Sequence, residues 1–229
     1  MIDVRHVSKW FGEQDPGRRG AAAQRIYAVR DVSVTLAAGS TTVIHGPSGS
    51  GKTTLLRLIA GLARPDDGEV WLDGELASAA DWVMTPHRRG VGFVFQEAAL
   101  WPHMTVAQNV GFGLLDRPRR ELAARVDAAL EAMGLAELGQ RYPSQLSGGQ
   151  ARRVAIARTL VVNPQILLLD EPLTHLQPEL RIELLELIQA QVAERGVTLV
   201  YVTHNEGEAA QLGGRQMRMD AGRLEEMER

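Results

Sequence analysis

The amino-acid sequence predicts an α/β fold: an α/β core with an N-terminal antiparallel β subdomain and an inserted α-helical subdomain. Three observations carry this. Thr42, Val43 and Ile44 read as a buried strand, and Leu55, Leu56, Ile59 and Leu62 recur at helical spacing, so the glycine-rich stretch between them lies at a strand-to-helix turn. Ile166–Leu169 is an unbroken apolar run, too short for a globular helix and suited to a central parallel strand. Beyond Glu97 the strand-like patterns give way to helical periodicity. The 229 residues, 45% of them hydrophobic, suffice for one large domain with a sizeable core. We assign residues 1–96 and 161–229 to the core and its β subdomain, and 97–160 to the helical subdomain.

In order, Ile2, Val4 and Val7 begin a strand that runs to about Trp10-Phe11-Gly12, and Val32, Val34 and Leu36 alternate as a second. Between them the Gly-, Arg- and Ala-rich stretch from Gly12 to Arg25 predicts a long, mobile hairpin loop with a solvated basic tip. The aromatics closing the first strand are candidates to stack on a nucleotide base, Phe11 first and Trp10 second; an ordinary core role fits them equally well. Asp66-Asp67-Gly68 and Asp73-Gly74 are turns bracketing a short strand, Glu69 to Leu72. Gly90 to Gln96 reads as a buried strand whose terminal amide is placed to reach a metal or water at a phosphate site; taken alone, such a glutamine is a solvated strand end. Thr105-Val106 starts a helix after the surface-prone turn Trp101-Pro102-His103-Met104. Leu122, Val126, Leu130 and Met133 share one face of another, closed by Gly134. A helix from Ala151 to Val162 follows. Gly196 to Thr203 is a further strand ending at His204, and Met217 and Met219 alternate as in an edge strand.

The chemistry gathers at the ends of these elements. Gly46-Pro47-Ser48-Gly49-Ser50-Gly51-Lys52-Thr53 fits the pattern G-x-x-x-x-G-K-T. Its glycines let backbone N–H groups wrap a polyphosphate, and the helix N-terminus adds positive potential. Lys52 reaches the β- and γ-phosphates as a compact cation, and the Thr53 hydroxyl ligates Mg²⁺. Of 25 Lys and Arg residues only Lys9 and Lys52 are lysine, in keeping with a position that needs a point charge. Leu146-Ser147-Gly148-Gly149-Gln150 before a helix is either a second anion-binding arrangement of free N–H groups and a hydroxyl, or a helix start capped by Ser147. Asp170 and Glu171, adjacent at the C-terminal edge of the apolar run, repel unless divided between tasks: Asp170 toward Mg²⁺ and Glu171 toward an attacking water. His204 stands where it can hydrogen-bond a terminal phosphate. The six histidines show no ligand spacing, so no transition metal is expected.

Composition narrows the partners. A net charge of −3 gives no electrostatic reason to expect nucleic acid. Lack of cysteine excludes disulfides and thiolate metal sites and fits a reducing compartment. The strand-like start Met1–Arg5 lacks a signal segment, and no apolar run approaches the roughly 18 residues of a membrane span. Any membrane role therefore runs through a partner.

The lysine-bearing loop, Gln96, LSGGQ at 146–150, the run Ile166–Glu171 and His204 occur in an order and approximate spacing that resembles the ATP-binding-cassette (ABC) ATPases, over essentially the whole chain. The phosphate loop is shared by many nucleoside triphosphatases; LSGGQ followed by an apolar run ending in Asp-Glu-Pro is far more specific. The stretch from Gln96 to Val106 is similar to the Q-loop region of importer-type subunits. The resemblance implies a P-loop NTPase (RecA-like) core, ATP and Mg²⁺ as cofactors, and ATP hydrolysis that powers translocation, import by subclass. An exporter-type ATPase and a non-transport module with reduced hydrolysis are the alternatives. It implies head-to-tail pairing with a second ABC ATPase subunit, identical or not, around two ATP. An integral-membrane permease is implied too, docked near Trp101, Pro102 and Met104 unless these merely pack the helical subdomain. So are a substrate-binding protein, no nucleic acid, and a cytoplasmic position on the inner face of the membrane.

Carried over by residue, Gly46, Pro47, Ser48, Gly49, Ser50, Gly51, Lys52, Thr53 and Thr54 hold the phosphates; Thr53, Gln96 and Asp170 hold Mg²⁺; Glu171 polarises the water; and His204 contacts the γ-phosphate. Ser147, Gly148, Gly149 and Gln150 serve the partner's ATP, and Phe11 matches the adenine-stacking position. The family's Ser-Ala-Leu-Asp is here Thr174-His175-Leu176-Gln177, so an uncharged Gln177 replaces the aspartate that links the two sites; ATP binding is expected to persist with altered or slowed hydrolysis. Many sugar-type importer subunits carry a further C-terminal regulatory domain; none is expected within this sequence. A nucleic-acid or ribosome module would call for a second cassette, a coiled coil or a basic patch, which the sequence lacks. A phosphate-loop kinase leaves LSGGQ unexplained, and intact Glu171 and His204 oppose a poorly catalytic regulatory module.

Overall fold

The computed structural model describes residues 1–12, 25–174 and 176–227. The loop expected between the first two strands therefore lies outside the described residues except at its ends, as does His175. The elements are β1 (Ile2–Phe11), β2 (Ile26–Leu36), β3 (Thr41–His45), α1 (Lys52–Ala60), β4 (Asp67–Leu72), β5 (Glu75–Ser78), β6 (Val91–Val94), α2 (Val106–Gly111), α3 (Arg119–Ala132), α4 (Gly148–Leu160), β7 (Ile166–Asp170), α5 (Pro178–Arg195), β8 (Thr198–Thr203), α6 (Glu206–Leu212), β9 (Arg215–Asp220) and β10 (Arg223–Glu226). They divide into two compact units, residues 1–91 with 200–229 and residues 92–199, the division falling within β8.

In the first unit β2, β1, β4 and β5 form an antiparallel sheet in that order, the expected N-terminal β subdomain. Beside it in sequence, β3 runs parallel to β9, and β9 pairs antiparallel with β10. Met217 and Met219 are thus not on an edge: strands lie on both sides of β9, and both side chains are buried. Alternation reports which face is apolar and is blind to how many neighbours a strand has. Helix α1 buries Leu55, Leu56, Leu58 and Ile59 and stops at Gly61, which leaves Leu62 off the expected apolar face and exposed. Its C-terminal end is fastened by Arg89, a guanidinium only 5% exposed. Arg89 Nε donates to the Met84 carbonyl (2.9 Å), Nη1 to Ile59 O (2.8 Å) and more weakly to Leu58 O (3.4 Å), and Nη2 to Ala77 O and Ser78 Oγ (both 2.6 Å). Burial pushes its pKa down to about 10. The last carbonyls of a helix have no intrahelical donor, and a cation there is favoured by the helix dipole.

In the second unit β6 and β7 are sheet neighbours, and all five residues of β7 are buried, as its apolar run predicts. Strand β6 is shorter than the expected Gly90–Gln96, because the carbonyls of Phe95 and Gln96 accept from the Arg152 guanidinium instead of a strand partner. Helices α2, α3 and α4 pack on one another and form the expected helical insert. Thr105 caps α2 with a reciprocal Thr105–Gln108 capping box. Behind it, fully buried Asn109 donates to the carbonyls of Trp101, Met104 and Thr105 and accepts from Trp101 N, fastening the turn before the helix. Helix α5, 18 residues long, was not predicted; Pro178 opens it and Gly196 ends it. Among the described residues no helix is long and apolar enough to cross a membrane.

Candidate functional site

The first unit carries the phosphate loop. Strand β3 delivers the chain to Gly46, and α1 begins at Lys52. The backbone between them is pressed from two sides: a Cβ on Gly46 would lie 2.0 Å from Met219 O in β9, and one on Gly51 would lie 1.9 Å from Ala28 O in β2. Only glycine fits such approaches. Two main-chain bonds pin the loop, Gly222 N to Ser50 O (2.9 Å) and Ser50 N to Pro47 O (3.2 Å). Lys52 is 4% exposed, and its Nζ donates to Gly46 O and Pro47 O, both at 2.8 Å. The loop's own carbonyls therefore hold the ammonium in place. The Ser50 hydroxyl is buried and makes no hydrogen bond among the described residues, and an orphaned buried donor of this kind calls for a ligand atom. Gly51 N-caps α1 and, being glycine, makes no side-chain capping bond of its own. Pro47, Ser48 and Gly49 are exposed, Thr53 and Thr54 half-buried.

His204 follows the last residue of β8 and is exposed. Phe11 ends β1 with its ring 57% exposed. Both rings have partners: Trp10 lies edge-on to Tyr27 at 5.7 Å with the Arg25 guanidinium 4.3 Å from its ring centre, and the Lys9 ammonium lies 5.7 Å from the Phe11 ring centre. Phe11, being the more exposed, offers the more accessible ring for stacking.

The second unit carries the remaining residues. Ser147 is the N-cap of α4: its Oγ accepts from Gln150 N (3.2 Å), and Gln150 Oε1 accepts from Ser147 N (3.0 Å). This capping box starts the helix at Gly148, three residues before the expected Ala151, so both readings of the motif hold at once. Ser147 caps, yet its hydroxyl hydrogen and the leading N–H groups remain as donors for an anion. Asp170 ends β7 and is 3% exposed. Glu171 next to it has φ +45°, a left-handed conformation that costs a non-glycine residue about 1–3 kcal/mol. Thr174 holds it there, its Oγ1 donating to Glu171 O at 3.0 Å and more weakly to Oε2 at 3.4 Å. Gln177 sits at the N-cap of α5 with no side-chain capping bond.

Gln96 is exposed, two residues past β6. The segment around it is tied to α4 by two arginines that sequence reasoning missed. Arg152, 8% exposed, bonds the carbonyls of Phe95 and Gln96, and Arg158 bonds those of Ala98 (3.3 Å) and Ala99 (3.0 Å). Burial lowers the Arg158 pKa from its usual value. Arg158 also lies 4.6 Å from the Trp101 ring centre, and that ring packs on Phe112 at 4.3 Å. Trp101 therefore packs inside the helical segment, while Pro102 is exposed and Met104 half-buried. No local signal marks Arg152, since α4 also carries Arg153 and Arg158 and the partners of Arg152 are main-chain carbonyls.

An α/β architecture, a pinned phosphate loop and a capped LSGGQ helix define a class, and comparison with known proteins agrees. The sequence pattern of the ABC transporter family matches residues 29–174. This chain belongs to the ABC transporter family. It is 45% identical over 231 residues to the spermidine/putrescine import ATP-binding protein PotA of Chromobacterium violaceum, across 100% of this chain and 59% of that protein. It is 44% identical over 228 residues to the sulfate/thiosulfate import ATP-binding protein CysA of Thermosynechococcus vestitus, across 99% of this chain and 63% of that one. The chain thus spans about three fifths of the length of these curated relatives. Among solved structures it resembles the dimeric post-hydrolysis state of the ATP-binding cassette MJ0796 bound to ADP and Pi, with TM-score 0.84, 32% identity and complete coverage of both chains.

Proposed function

We propose that this chain is the ATP-binding and ATP-hydrolysing subunit of an ABC importer. The observation that carries the reading is the phosphate loop: glycines wedged against β2 and β9, a buried Lys52, and the orphaned Ser50 hydroxyl. These features suit a nucleoside triphosphate, and the hard oxygen donors Thr53, Gln96 and Asp170 suit Mg²⁺. When bound, Mg²⁺ neutralises charge on the β- and γ-phosphate oxygens.

In this reading Gly46 to Thr54 cradle the phosphates and Phe11 stacks on the base. Asp170, Gln96 and Thr53 are the metal ligands. Glu171 orients the attacking water and accepts its proton, and His204 hydrogen-bonds the terminal phosphoryl group. Ser147, Gly148, Gly149 and Gln150 present their donors to the ATP of a second subunit. Two cassettes then close head to tail while triphosphate is present and part after hydrolysis, driving a permease on the inner face of a membrane. A substrate-binding protein would deliver the solute, and the helical subdomain of residues 97–160 would meet the permease. The solute is chosen elsewhere in the assembly, since relatives of nearly equal identity are named for a polycation and for sulfate.

The test is ATP-dependent pairing. With ATP and Mg²⁺ the Glu171→Gln variant elutes as a dimer on gel filtration, and adding Lys52→Ala abolishes it. A Glu171→Gln protein that stays monomeric at saturating nucleotide contradicts the sandwich.

A further inference from the structure

We propose that Glu208 is a positioning residue for His204: its buried carboxyl closes a hydrogen-bonded ring around the turn that carries the histidine. The inference rests on the role given to His204 above. Only His204 and Asn205 separate β8 from α6. On β8, Tyr201 and Thr203 alternate onto one face and are both buried. Glu208, in the first turn of α6 and 5% exposed, accepts from both at a single oxygen: Tyr201 Oη lies 2.9 Å and Thr203 Oγ1 2.7 Å from Oε2. Thr203 Oγ1 in turn accepts from Asn205 N at 2.9 Å, and Asn205 Oδ1 accepts from Glu208 N at 3.2 Å. The two residues flanking His204 are thus each bonded into a cycle that ends on Glu208.

Capping alone does not explain this ring. Asn205 already caps α6 through Glu208 N, and a small apolar side chain at 208 would fill a buried position without the cost of burying a carboxyl. What the carboxyl adds is a rigid link from the strand face to the helix, across the residue whose imidazole must meet a phosphoryl oxygen. Fixing the main chain on both sides of His204 limits where its exposed imidazole can swing. Loss of the ring lets the turn move, and misplacement of about 1 Å in a reacting constellation can cost about 100-fold in rate.

The experiment is steady-state ATP hydrolysis by the full chain, with melting temperature recorded for every variant. His204→Ala lowers kcat by about 100-fold or more if it takes part in the transfer. Glu208→Leu, which keeps the bulk and removes the acceptor, lowers kcat about tenfold or more while the KM for ATP moves less than about twofold. Glu208→Gln, which keeps a carbonyl acceptor, restores most of kcat. In the His204→Ala background Glu208→Leu causes no further loss, because it acts through a side chain already gone. Thr203→Val, near-isosteric, breaks the ring from the strand side, reproduces the kcat effect and serves as the readout if the leucine variant does not fold. A wild-type kcat in Glu208→Leu or Thr203→Val overturns the proposal, as does a double variant whose losses multiply. A wild-type rate in His204→Ala instead removes the assignment of the histidine itself, and this inference with it.

Discussion

Arg89 ties the C-terminal end of the helix behind the phosphate loop to the β subdomain. Replacing it with methionine keeps much of the volume and removes every donor. Four of its bonds are 2.6–2.9 Å long, and the fifth, to Leu58 O, is weak at 3.4 Å. Ala77 O keeps its bond from Met84 N (2.9 Å); each of the other three acceptors left unpaired costs about 1–3 kcal/mol, so about 3–9 kcal/mol would be lost if none found another partner. The cation's favourable place at the C-terminus of α1 adds up to about 2 kcal/mol. Against this stand water entering beside the thioether and release from burying a guanidinium, which costs several kcal/mol. The balance is a loss of about 3 kcal/mol, the low end for breaking a buried charged network. At about 2–4 °C per kcal/mol for a chain of this size, the melting temperature falls by about 6–12 °C, read by far-UV circular dichroism. Arg89→Lys falls between, since three donors on a point charge cannot reproduce the planar fork. A methionine variant that melts within about 2 °C of the wild type would mean that solvent serves these carbonyls as well as the guanidinium does, and the reasoning would fail.

Three further outcomes follow from the loops. Gly51→Ala places a methyl group where only 1.9 Å separates it from Ala28 O, so the loop must shift and ATP affinity by calorimetry should drop at least about tenfold; unchanged affinity would show that the loop geometry does not set binding. Ser147→Ala removes the cap of α4, costing about 0.5–2 kcal/mol, and in the Glu171→Gln background it should prevent the ATP-dependent dimer; a persistent dimer would count against contact with the second nucleotide. Gln177 makes no capping bond, so Gln177→Asp should raise stability by about 1 kcal/mol and also raise turnover. Higher stability with an unaltered rate would make the substitution a matter of capping alone.

How much of this was legible in the sequence follows from where each interaction finds its partner. The phosphate loop, the LSGGQ turn and the Asp170-Glu171 pair could be read because each compresses its chemistry into consecutive residues whose types the task dictates. Strand β7 could be read because burial on both faces leaves no polar position before its terminal Asp170. The start of α4 lies three residues before the expected one although its signal is local: Ser147 and Gln150 stand at capping-box spacing, and the glycines between them have the composition of a loop. The same holds for α5, whose Pro178 and Gly196 mark its ends. Arg89, Arg152, Arg158, Asn109 and Glu208 are a different case. The four basic or amide side chains bond main-chain carbonyls far from them along the chain or across a turn, and a carbonyl has no sequence identity to match. Glu208 has side-chain partners, Tyr201 and Thr203, but both read as ordinary strand formers until α6 folds back on β8. What sequence conveys best, then, is chemistry held by neighbours in the chain. The groups that hold that chemistry in position are chosen by backbone brought near in space, and only the fold exposes them.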